Sequence, residues 1–200
     1  MYNVLLLGLK SSGKTWLLAK VRMHPADAQL REIYLGGPTP TARIAPTIGQ
    51  NVLDVNWHGV ILHMWDLGGA SSMRELWLEY VPDAHVLAWS VDAHAWHCNE
   101  PVPDEGGTRY REASCNALVS VVREAAAHGL EIVVLVCKLD VQDATPVADV
   151  EDHILAHWAT VTDASTATLR PTWHFCGVSS ATGDGLAAAV DQFYTCAVQQ

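Results

Sequence analysis

The stretch of sequence that decides the fold is Gly8-Leu9-Lys10-Ser11-Ser12-Gly13-Lys14-Thr15. It matches the pattern GxxxxGK[ST], in which glycines let the backbone fold closely around phosphate groups with its N–H groups pointing inward. The apolar run from Tyr2 to Leu7 predicts a buried strand before the loop, and the apolar spacing from Lys14 to Met23 predicts a helix after it. A chance glycine turn would lack this strand–loop–helix context, so the stretch predicts a site for a nucleoside triphosphate.

Two side chains of this loop have separate expected roles. Lys14 is expected to reach the β and γ phosphates, and Thr15 is expected to ligate Mg²⁺ through its hydroxyl. The positive N-terminal end of the following helix favours the same anion. The motif does not select one base over another, so the base must be recognised by residues elsewhere in the chain.

The remainder of the chain alternates between strand and helix patterns. Strands are predicted at 51–57, 60–65, 86–91, 131–137 and 172–178, and helices at 111–128, 146–158 and 185–198. The dipeptide His58-Gly59 predicts a hairpin turn between the first two of these strands. The alternation predicts an α/β fold with a mostly parallel six-stranded sheet and helices on both faces, and ligands in such sheets bind at the carboxyl ends of strands.

Residues 93–108 interrupt this alternation. They contain three acidic residues, two prolines and two glycines, a composition that predicts an exposed loop. The length of the chain, 200 residues, fits one domain with a sizeable core. We therefore expect a single domain over residues 1–200 with an acidic loop inserted at about 93–108.

Two groups of side chains contain potential zinc ligands. His94, His97 and Cys98 lie within the acidic loop, and His153 and His157 are four residues apart on a predicted helix. Neither group has the four ligands of a structural zinc site. An ordinary loop and an exposed helical face are therefore the favoured interpretations.

A second conspicuous segment is Trp65-Asp66-Leu67-Gly68-Gly69, which ends the second strand of the predicted hairpin. Asp66 is expected to hold Mg²⁺ through a water, because Mg²⁺ keeps several of its waters. The backbone N–H of Gly69 is expected to meet the γ phosphate. Thr47, which precedes the hairpin, is expected to close over the same metal and phosphate from the other side, although a simple turn explains Pro46-Thr47 equally well on its own.

These motifs, taken in order, resemble the ADP-ribosylation-factor-like (Arf/Arl) branch of the small GTPases. The residues that carry the resemblance are Gly8 to Thr15, Pro46-Thr47-Ile48-Gly49, Trp65 to Gly69, Arg74, Leu76, Trp77, Tyr80 and Thr182 to Leu186. The resemblance implies the small-GTPase P-loop fold, a GTP/GDP cycle with Mg²⁺, switch I around Thr47 and switch II from Asp66 to about Tyr80. For Trp65, Trp77 and Tyr80 individually, core packing is the simpler explanation.

The base is expected to be recognised by Cys137-Lys138-Leu139-Asp140, which resembles the family's Asn-Lys-x-Asp motif with Cys137 in place of Asn. The carboxylate of Asp140 can accept two hydrogen bonds from guanine, whereas adenine presents an acceptor at N1. Lys138 is expected to lie along the base and ribose. Ser180 and Ala181, in the segment Ser179-Ser180-Ala181, are expected to form the last base-contacting loop. Cys137 is expected to weaken binding without changing the preference for guanine, because a neutral hydrogen bond contributes less than a charge-assisted one.

Ala70 departs from the family pattern, which has Gln after Gly-Gly. The resemblance assigns to that Gln the orientation of the attacking water, with Lys14, Thr47 and Gly69 as the other residues of the hydrolytic site. Alanine has no polar group for this purpose, so intrinsic hydrolysis is expected to be very weak. Ser71, Ser72 or a partner protein are alternative sources of the missing group.

The composition limits the classes of binding partner and indicates the cellular compartment. The formal net charge of -10 repels phosphate backbones and anionic lipid, so generic binding to nucleic acid or to a membrane surface is disfavoured, although a local basic patch could still exist. Five scattered cysteines without a CxxC pair indicate reduced thiols in the cytoplasm. Tyr2 stands where a myristoylated family member has glycine, and Cys196 is too far from the C-terminus for prenylation, so no lipid anchor is evident.

Two functions remain open on the sequence alone. The first is a GTP/GDP switch that binds effectors through both switch regions and acts at Golgi or other trafficking membranes. By resemblance to the family, it is expected to be monomeric and to be served by an exchange factor and a GTPase-activating protein. The second is a GTP-binding interaction module that does not hydrolyse its nucleotide, which Ala70 favours. A P-loop kinase is disfavoured, because no arginine-rich lid segment is present and the Asp-x-x-Gly and Lys-x-Asp motifs argue against it.

Overall fold

The computed structural model describes residues 1–23, 47, 49–162 and 170–199. The strands are β1 (Tyr2–Gly8), β2 (Gln50–Trp57), β3 (Val60–Leu67), β4 (Val86–Asp92), β5 (Glu131–Cys137) and β6 (Trp173–Val178). The α-helices are α1 (Lys14–Met23), α2 (Arg74–Tyr80), α3 (Ala93–Cys98), α4 (Tyr110–Ala127), α5 (Val147–Val161) and α6 (Leu186–Val198). Short 3₁₀ turns at Ser71–Met73, Val81–Asp83 and Pro103–Glu105 complete the described elements. Pro46 and Ile48 of the segment Pro46-Thr47-Ile48-Gly49 lie outside the described residues.

The strands of the described residues form one sheet in the order β2-β3-β1-β4-β5-β6. Only the β2–β3 pair is antiparallel among these pairings, and His58 and Gly59 make its turn with φ angles of 50° and 79°. The sequence prediction of a mostly parallel six-stranded sheet is therefore confirmed. Because β1 lies between β3 and β4, the phosphate loop after β1 emerges beside the last residues of β3, where Leu6 is opposite Asp66.

Two apolar layers cover the sheet, because its central strands are apolar on both faces. Val4 and Leu6 of β1 pack with α1 and α6 on one face, whereas Leu5 and Leu7 pack with α2, α4 and α5 on the other. Trp77 is fully buried in the second layer, and Trp65 and Tyr80 pack against it. Core packing, the simpler explanation offered for these three aromatic residues, agrees with this arrangement.

The prediction of an exposed loop over 93–108 was wrong for its first part. Asp92 caps α3 by accepting hydrogen bonds from the backbone N–H groups of His94 and Ala95, at 3.0 and 2.9 Å. Ala93 and Trp96 are then buried against α4. The two buried apolar residues are three apart, as in a helix. With only six residues, the helix is too short for this periodicity to be recognised in the sequence.

Candidate functional site

A cavity of about 660 Å³ opens at the carboxyl ends of the parallel strands. It brings together residues from the five predicted nucleotide-contacting segments, in agreement with the expected location of a ligand in such a sheet. The predicted site residues that line it are Lys10, Ser11, Ser12, Gly13, Lys14, Thr15, Thr47, Gly69, Ala70, Cys137, Lys138, Asp140, Ser180 and Ala181. Gly8, Leu9 and Asp66 are buried at its edge and do not line it.

The phosphate loop requires glycine at position 8. Gly8 has φ +144°, and a Cβ there would lie 2.4 Å from the backbone oxygen of Ser90 on β4. The hydroxyls of Ser12 and Ser90 are hydrogen-bonded at 2.5 Å within the same contact. The loop is therefore fastened to β4, which fixes the direction of its backbone N–H groups.

Lys14 is a buried cation inside the loop. Its Nζ donates hydrogen bonds to the carbonyl oxygens of Gly8 and Leu9, both at 2.9 Å. Burial lowers the pKa of Lys14 to about 8, while the nearby Asp66 carboxylate acts in the opposite direction. A phosphate group at this position would supply the negative charge that the buried ammonium favours.

Oxygen ligands converge around Asp66. The Thr15 hydroxyl donates to Oδ2 of Asp66 at 2.8 Å and lies 3.0 Å from the hydroxyl of Thr47. Asn51 donates from Nδ2 to the same Oδ2 at 3.1 Å. The other carboxylate oxygen, Oδ1 of Asp66, is buried without a hydrogen-bond partner. Two hydroxyls beside a buried carboxylate with a free oxygen form a donor set that fits Mg²⁺, which prefers oxygen ligands.

Asn51 was missed by the sequence reasoning. It is opposite Asp66 in the antiparallel β2–β3 register, and its side chain also approaches the Thr47 hydroxyl at 3.4 Å. The hairpin prediction contained the necessary signal, because a strand that pairs with β3 must place one residue directly across from Asp66. That residue is polar, as a position beside a buried carboxylate requires.

The segment after β3 packs directly on the phosphate loop. A Cβ at Gly69 would lie 2.6 Å from the carbonyl oxygen of Gly8 and 2.7 Å from the backbone nitrogen of Lys10. The indole N–H of Trp77 donates to the carbonyl of Gly68 at 3.0 Å and fixes the turn. Ala70 follows at the cavity wall, where its methyl group offers no hydrogen bond.

The opposite end of the cavity contains the expected base-recognition residues. Asp140 is exposed and accepts a hydrogen bond of 2.5 Å from the hydroxyl of the buried Ser179. Lys138 donates from Nζ to the carbonyl of Ser11 at 2.9 Å and forms an ion pair with Asp92. The lysine therefore spans from the base end of the cavity to the phosphate loop. Its pairing with Asp92 was not anticipated from the sequence.

Cys137 occupies the position of the family asparagine. It is buried beneath the phosphate loop, and a Cβ at Gly13 would lie 3.3 Å from the Cβ of Cys137. Burial raises the pKa of the Cys137 thiol to about 12, so the group is neutral at physiological pH. Its Sγ is 3.6 Å from the carbonyl oxygen of Leu135, a weak hydrogen bond.

The zinc-ligand candidates from the sequence remain separate small groups. Sγ of Cys98 is 3.6 Å from Nε2 of His94, and the ring of His153 packs edge-on against Trp96 at 5.3 Å between ring centroids. Across the described ranges, neither group belongs to a set of three potential metal ligands.

Comparison with known proteins identifies the family. The model of the ADP-ribosylation factor family matches residues 1–196. The chain belongs to this family. This chain is similar to ADP-ribosylation factor-like protein 2 of Drosophila melanogaster, with 28% identity over 94% of this chain and 83% of the relative. It is also similar to ADP-ribosylation factor-like protein 3 of Saccharomyces cerevisiae, with 29% identity over 95% of this chain and 82% of the relative.

Solved structures agree in fold with this family member. The Arl6 BBS3 small GTPase of Trypanosoma brucei, bound to the nucleotide analogue GppNp, matches with a TM-score of 0.66 at 17% identity over 100% of this chain and 98% of that one. The mammalian signal recognition particle (SRP) receptor matches with a TM-score of 0.72 at 17% identity over 96% of this chain and 98% of that one. The small-GTPase P-loop fold is thereby confirmed, and family membership supports a GTP-binding regulatory switch.

Helices long and apolar enough to cross a bilayer are absent from the described ranges.

Proposed function

We propose that the protein is a molecular switch that binds GTP and GDP with Mg²⁺ and hydrolyses GTP weakly on its own. The observation that carries this proposal is one cavity lined by the phosphate loop, by Thr15 and Thr47 beside the buried Asp66, and by the Lys138–Asp140 segment. Its volume of about 660 Å³ lies in the range of cavities that enclose a small ligand.

Mg²⁺ in this proposal is held by the hydroxyls of Thr15 and Thr47, with Asp66 acting through a water. When bound, the ion neutralises charge on the β and γ phosphate oxygens. Lys14 and the backbone N–H groups of the phosphate loop complete the charge balance. Gly69, pressed against the loop, is the residue whose N–H meets the γ phosphate.

Guanine selection in this proposal depends on Asp140. Its carboxylate accepts from N1–H and the amino group of guanine, while Ser179 orients it through the 2.5 Å hydrogen bond. Ser180 and Ala181 line the same end of the cavity, and Lys138 covers the base and ribose with its alkyl stem. Competition of GDP, GTP, ADP and ATP against a fluorescent GDP analogue tests the assignment. Displacement by the guanine nucleotides alone supports it, and equal displacement by ADP contradicts it.

Weak hydrolysis follows from Ala70, which lines the cavity where a water-orienting side chain is needed. The alternative, a GTP-binding module without useful hydrolysis, is favoured by the same residue. Ser72 also lines the cavity and is the nearest candidate for a substitute hydroxyl, whereas Ser71 does not line it. The two functions differ only in whether the hydrolysis rate is measurable.

Substituting Ala70→Gln is expected to raise single-turnover GTP hydrolysis by about 100-fold, because one positioned polar group is worth about 10²–10³ in rate. The measurement is phosphate release from preloaded protein. Leu78→Gln, which places a glutamine at an exposed position of α2 outside the cavity lining, serves as the control. An unchanged rate in Ala70→Gln would show that the water is oriented by another group.

The partners follow from family membership and remain part of the proposal. Effector proteins bind the surface formed by Thr47 and the switch II segment from Asp66 to Tyr80. An exchange factor and a GTPase-activating protein regulate a single-domain monomer that works in the cytoplasm and at trafficking membranes such as the Golgi. Nucleic acid is not a partner, because the net charge of -10 repels it.

A further inference from the structure

The acidic loop inserted at about 93–108, called the acidic insert below, contacts two parts of the nucleotide site. The carboxylate of Asp104 lies 3.5 Å from Nζ of Lys10 in the phosphate loop. The neighbouring Glu105 forms an ion pair with the guanidinium of Arg74, the first residue of α2 in switch II. Consecutive residues at the tip of the insert therefore connect the phosphate loop to switch II.

The tip is held in place by its own backbone. Pro101 and Arg109 form an isolated antiparallel bridge, and the N–H of Val102 donates to the carbonyl of Thr108 at 2.9 Å. The N–H of Tyr110 donates to the carbonyl of Glu100 at 3.0 Å. These bonds close the insert into a small hairpin-like unit, so the positions of its carboxylates are set by the fold.

The two ion pairs differ in strength. The side chains of Arg74 and Glu105 are only 24% and 11% exposed, and the guanidinium also lies 5.6 Å from the centre of the Trp77 ring. The side chains of Lys10 and Asp104 are 49% and 39% exposed, so solvent screens that pair. Glu105 therefore acts mainly by holding Arg74, and Asp104 acts mainly by its charge.

We propose that Glu105 is a positioning residue that holds switch II through Arg74, and that Asp104 lowers the preference of the phosphate loop for a triphosphate. The inference rests on the proposed function. Asp104 neutralises Lys10 at the cavity wall and repels the additional negative charge of a third phosphate. Glu105 fixes the start of α2, which follows Gly69 closely in the chain, and Gly69 packs on the phosphate loop.

The test measures affinities and dissociation rates of fluorescent GDP and of a non-hydrolysable GTP analogue. Asp104→Asn is expected to raise affinity for the GTP analogue relative to GDP by about two- to fivefold. Glu105→Gln is expected to speed release of the GTP analogue by about tenfold with little change for GDP, and Glu105→Asp to restore the slow rate. Glu112→Gln, which removes an exposed carboxylate on α4, is the control.

Tighter binding of the GTP analogue in Asp104→Asn and faster release in Glu105→Gln would distinguish positioning from a general loss of structure. A general loss of structure would weaken the binding of both nucleotides alike. If the wild-type protein binds guanine nucleotides but both variants match Glu112→Gln, the role of the insert is refuted and the proposed function stands. If the wild-type protein binds no guanine nucleotide, the proposed function itself fails.

A different observation concerns the other end of the sheet. Glu131 at the start of β5, His174 on β6 and Cys196 on α6 place one ligand atom each within 4.8 Å of one another. Nε2 of His174 is 2.7 Å from Oε2 of Glu131. Cys176 lies two residues beyond His174 on the same strand and, like Cys196, belongs to the apolar layer beneath α6.

We infer that Glu131, His174 and Cys196 form a Zn²⁺ site with three protein ligands and an open fourth position. Carboxylate, imidazole and thiolate are the ligand types of Zn²⁺, and bond lengths of about 2.0–2.3 Å require donor atoms about 3.3–3.8 Å apart. The His174–Glu131 pair must open slightly to reach that spacing. Both side chains are partly exposed, at 28% and 24%, so the pair is not enclosed within the core.

A bound ion would fasten the last turn of α6 to the amino ends of β5 and β6, far from the nucleotide cavity. Co²⁺ is the probe, because a thiolate ligand gives it a charge-transfer absorption band. The full chain is expected to bind one Co²⁺, which Zn²⁺ displaces. Cys196→Ser and His174→Ala are each expected to weaken binding by about 100-fold, since even outer-shell partners contribute 10- to 100-fold.

Cys98→Ser is the control, because the exposed Cys98 and His94 are the competing source of a thiolate–imidazole pair. His174 is partly exposed, so His174→Ala keeps the test valid if Cys196→Ser fails to fold. Absence of the charge-transfer band in the wild-type protein, or its persistence in His174→Ala, would refute the zinc site.

Discussion

Replacing Asp140 with alanine is expected to weaken GDP binding by about 10²- to 10⁴-fold. The carboxylate accepts two charge-assisted hydrogen bonds from guanine in the proposed complex, each worth about 1.5–3 kcal/mol, and every 1.4 kcal/mol corresponds to about tenfold in affinity. Asp140 is exposed at the cavity rim, so its loss should leave the core intact. Ser179 would lose its carboxylate partner without leaving a buried charge.

Inosine diphosphate sharpens this test, because it lacks only the guanine amino group. The wild-type protein should prefer GDP over inosine diphosphate, and Asp140→Ala should lose most of that preference. Asp152→Ala removes an exposed carboxylate from α5, away from the cavity, and serves as the control. If Asp140→Ala still prefers GDP over inosine diphosphate, another residue must recognise the guanine amino group.

Substituting Lys14→Ala is expected to weaken binding of both GDP and GTP by about 10²- to 10⁴-fold, because the ammonium contributes about two charge-assisted contacts to the phosphates. The fold itself should tolerate the change. Burial lowers the pKa of Lys14 to about 8, which means that the charged form is disfavoured in the folded protein. Removing the amine relieves that cost and offsets the loss of its two bonds to the loop carbonyls.

The measurement combines nucleotide titration with thermal unfolding. In the wild-type protein, saturating GDP should raise the melting temperature, because a ligand that binds only the folded state stabilises it. In Lys14→Ala that rise should disappear, while the melting temperature without nucleotide stays close to wild type. Lys20→Ala, on the same helix but outside the cavity lining, should behave as wild type. A retained GDP-dependent rise in Lys14→Ala contradicts the role of the lysine.

Sequence reasoning succeeded where a short motif dictates backbone geometry. The stretch from Gly8 to Thr15 predicts a strand, a loop and a helix at once, and α1 begins at Lys14 as predicted. Runs of β-branched residues likewise predicted β5 with its bounds at Glu131 and Cys137. Because parallel strands share their carboxyl edge, the order of these motifs was enough to predict one shared cavity.

Long-range pairings escaped prediction. Asn51 reaches Asp66 only because of the β2–β3 register, and Lys138 pairs with Asp92 across 46 positions of sequence. Glu105 reaches Arg74 from an insert whose composition indicates only an exposed loop. The predicted hairpin implies a partner for Asp66 on β2, whereas the Lys138–Asp92 and Glu105–Arg74 contacts depend on which side chains face each other after folding. Local sequence patterns do not specify that arrangement.

The central claim is that this cavity selects a guanine nucleotide, and one measurement tests it most directly. Freshly purified protein is denatured, and the released nucleotide is identified by ion-exchange chromatography. We expect GTP or GDP in about equimolar amount; GTP would indicate that Ala70 leaves hydrolysis slow, and GDP would be compatible with turnover. An adenine nucleotide in the released fraction would contradict the role of Asp140 and with it the proposed switch.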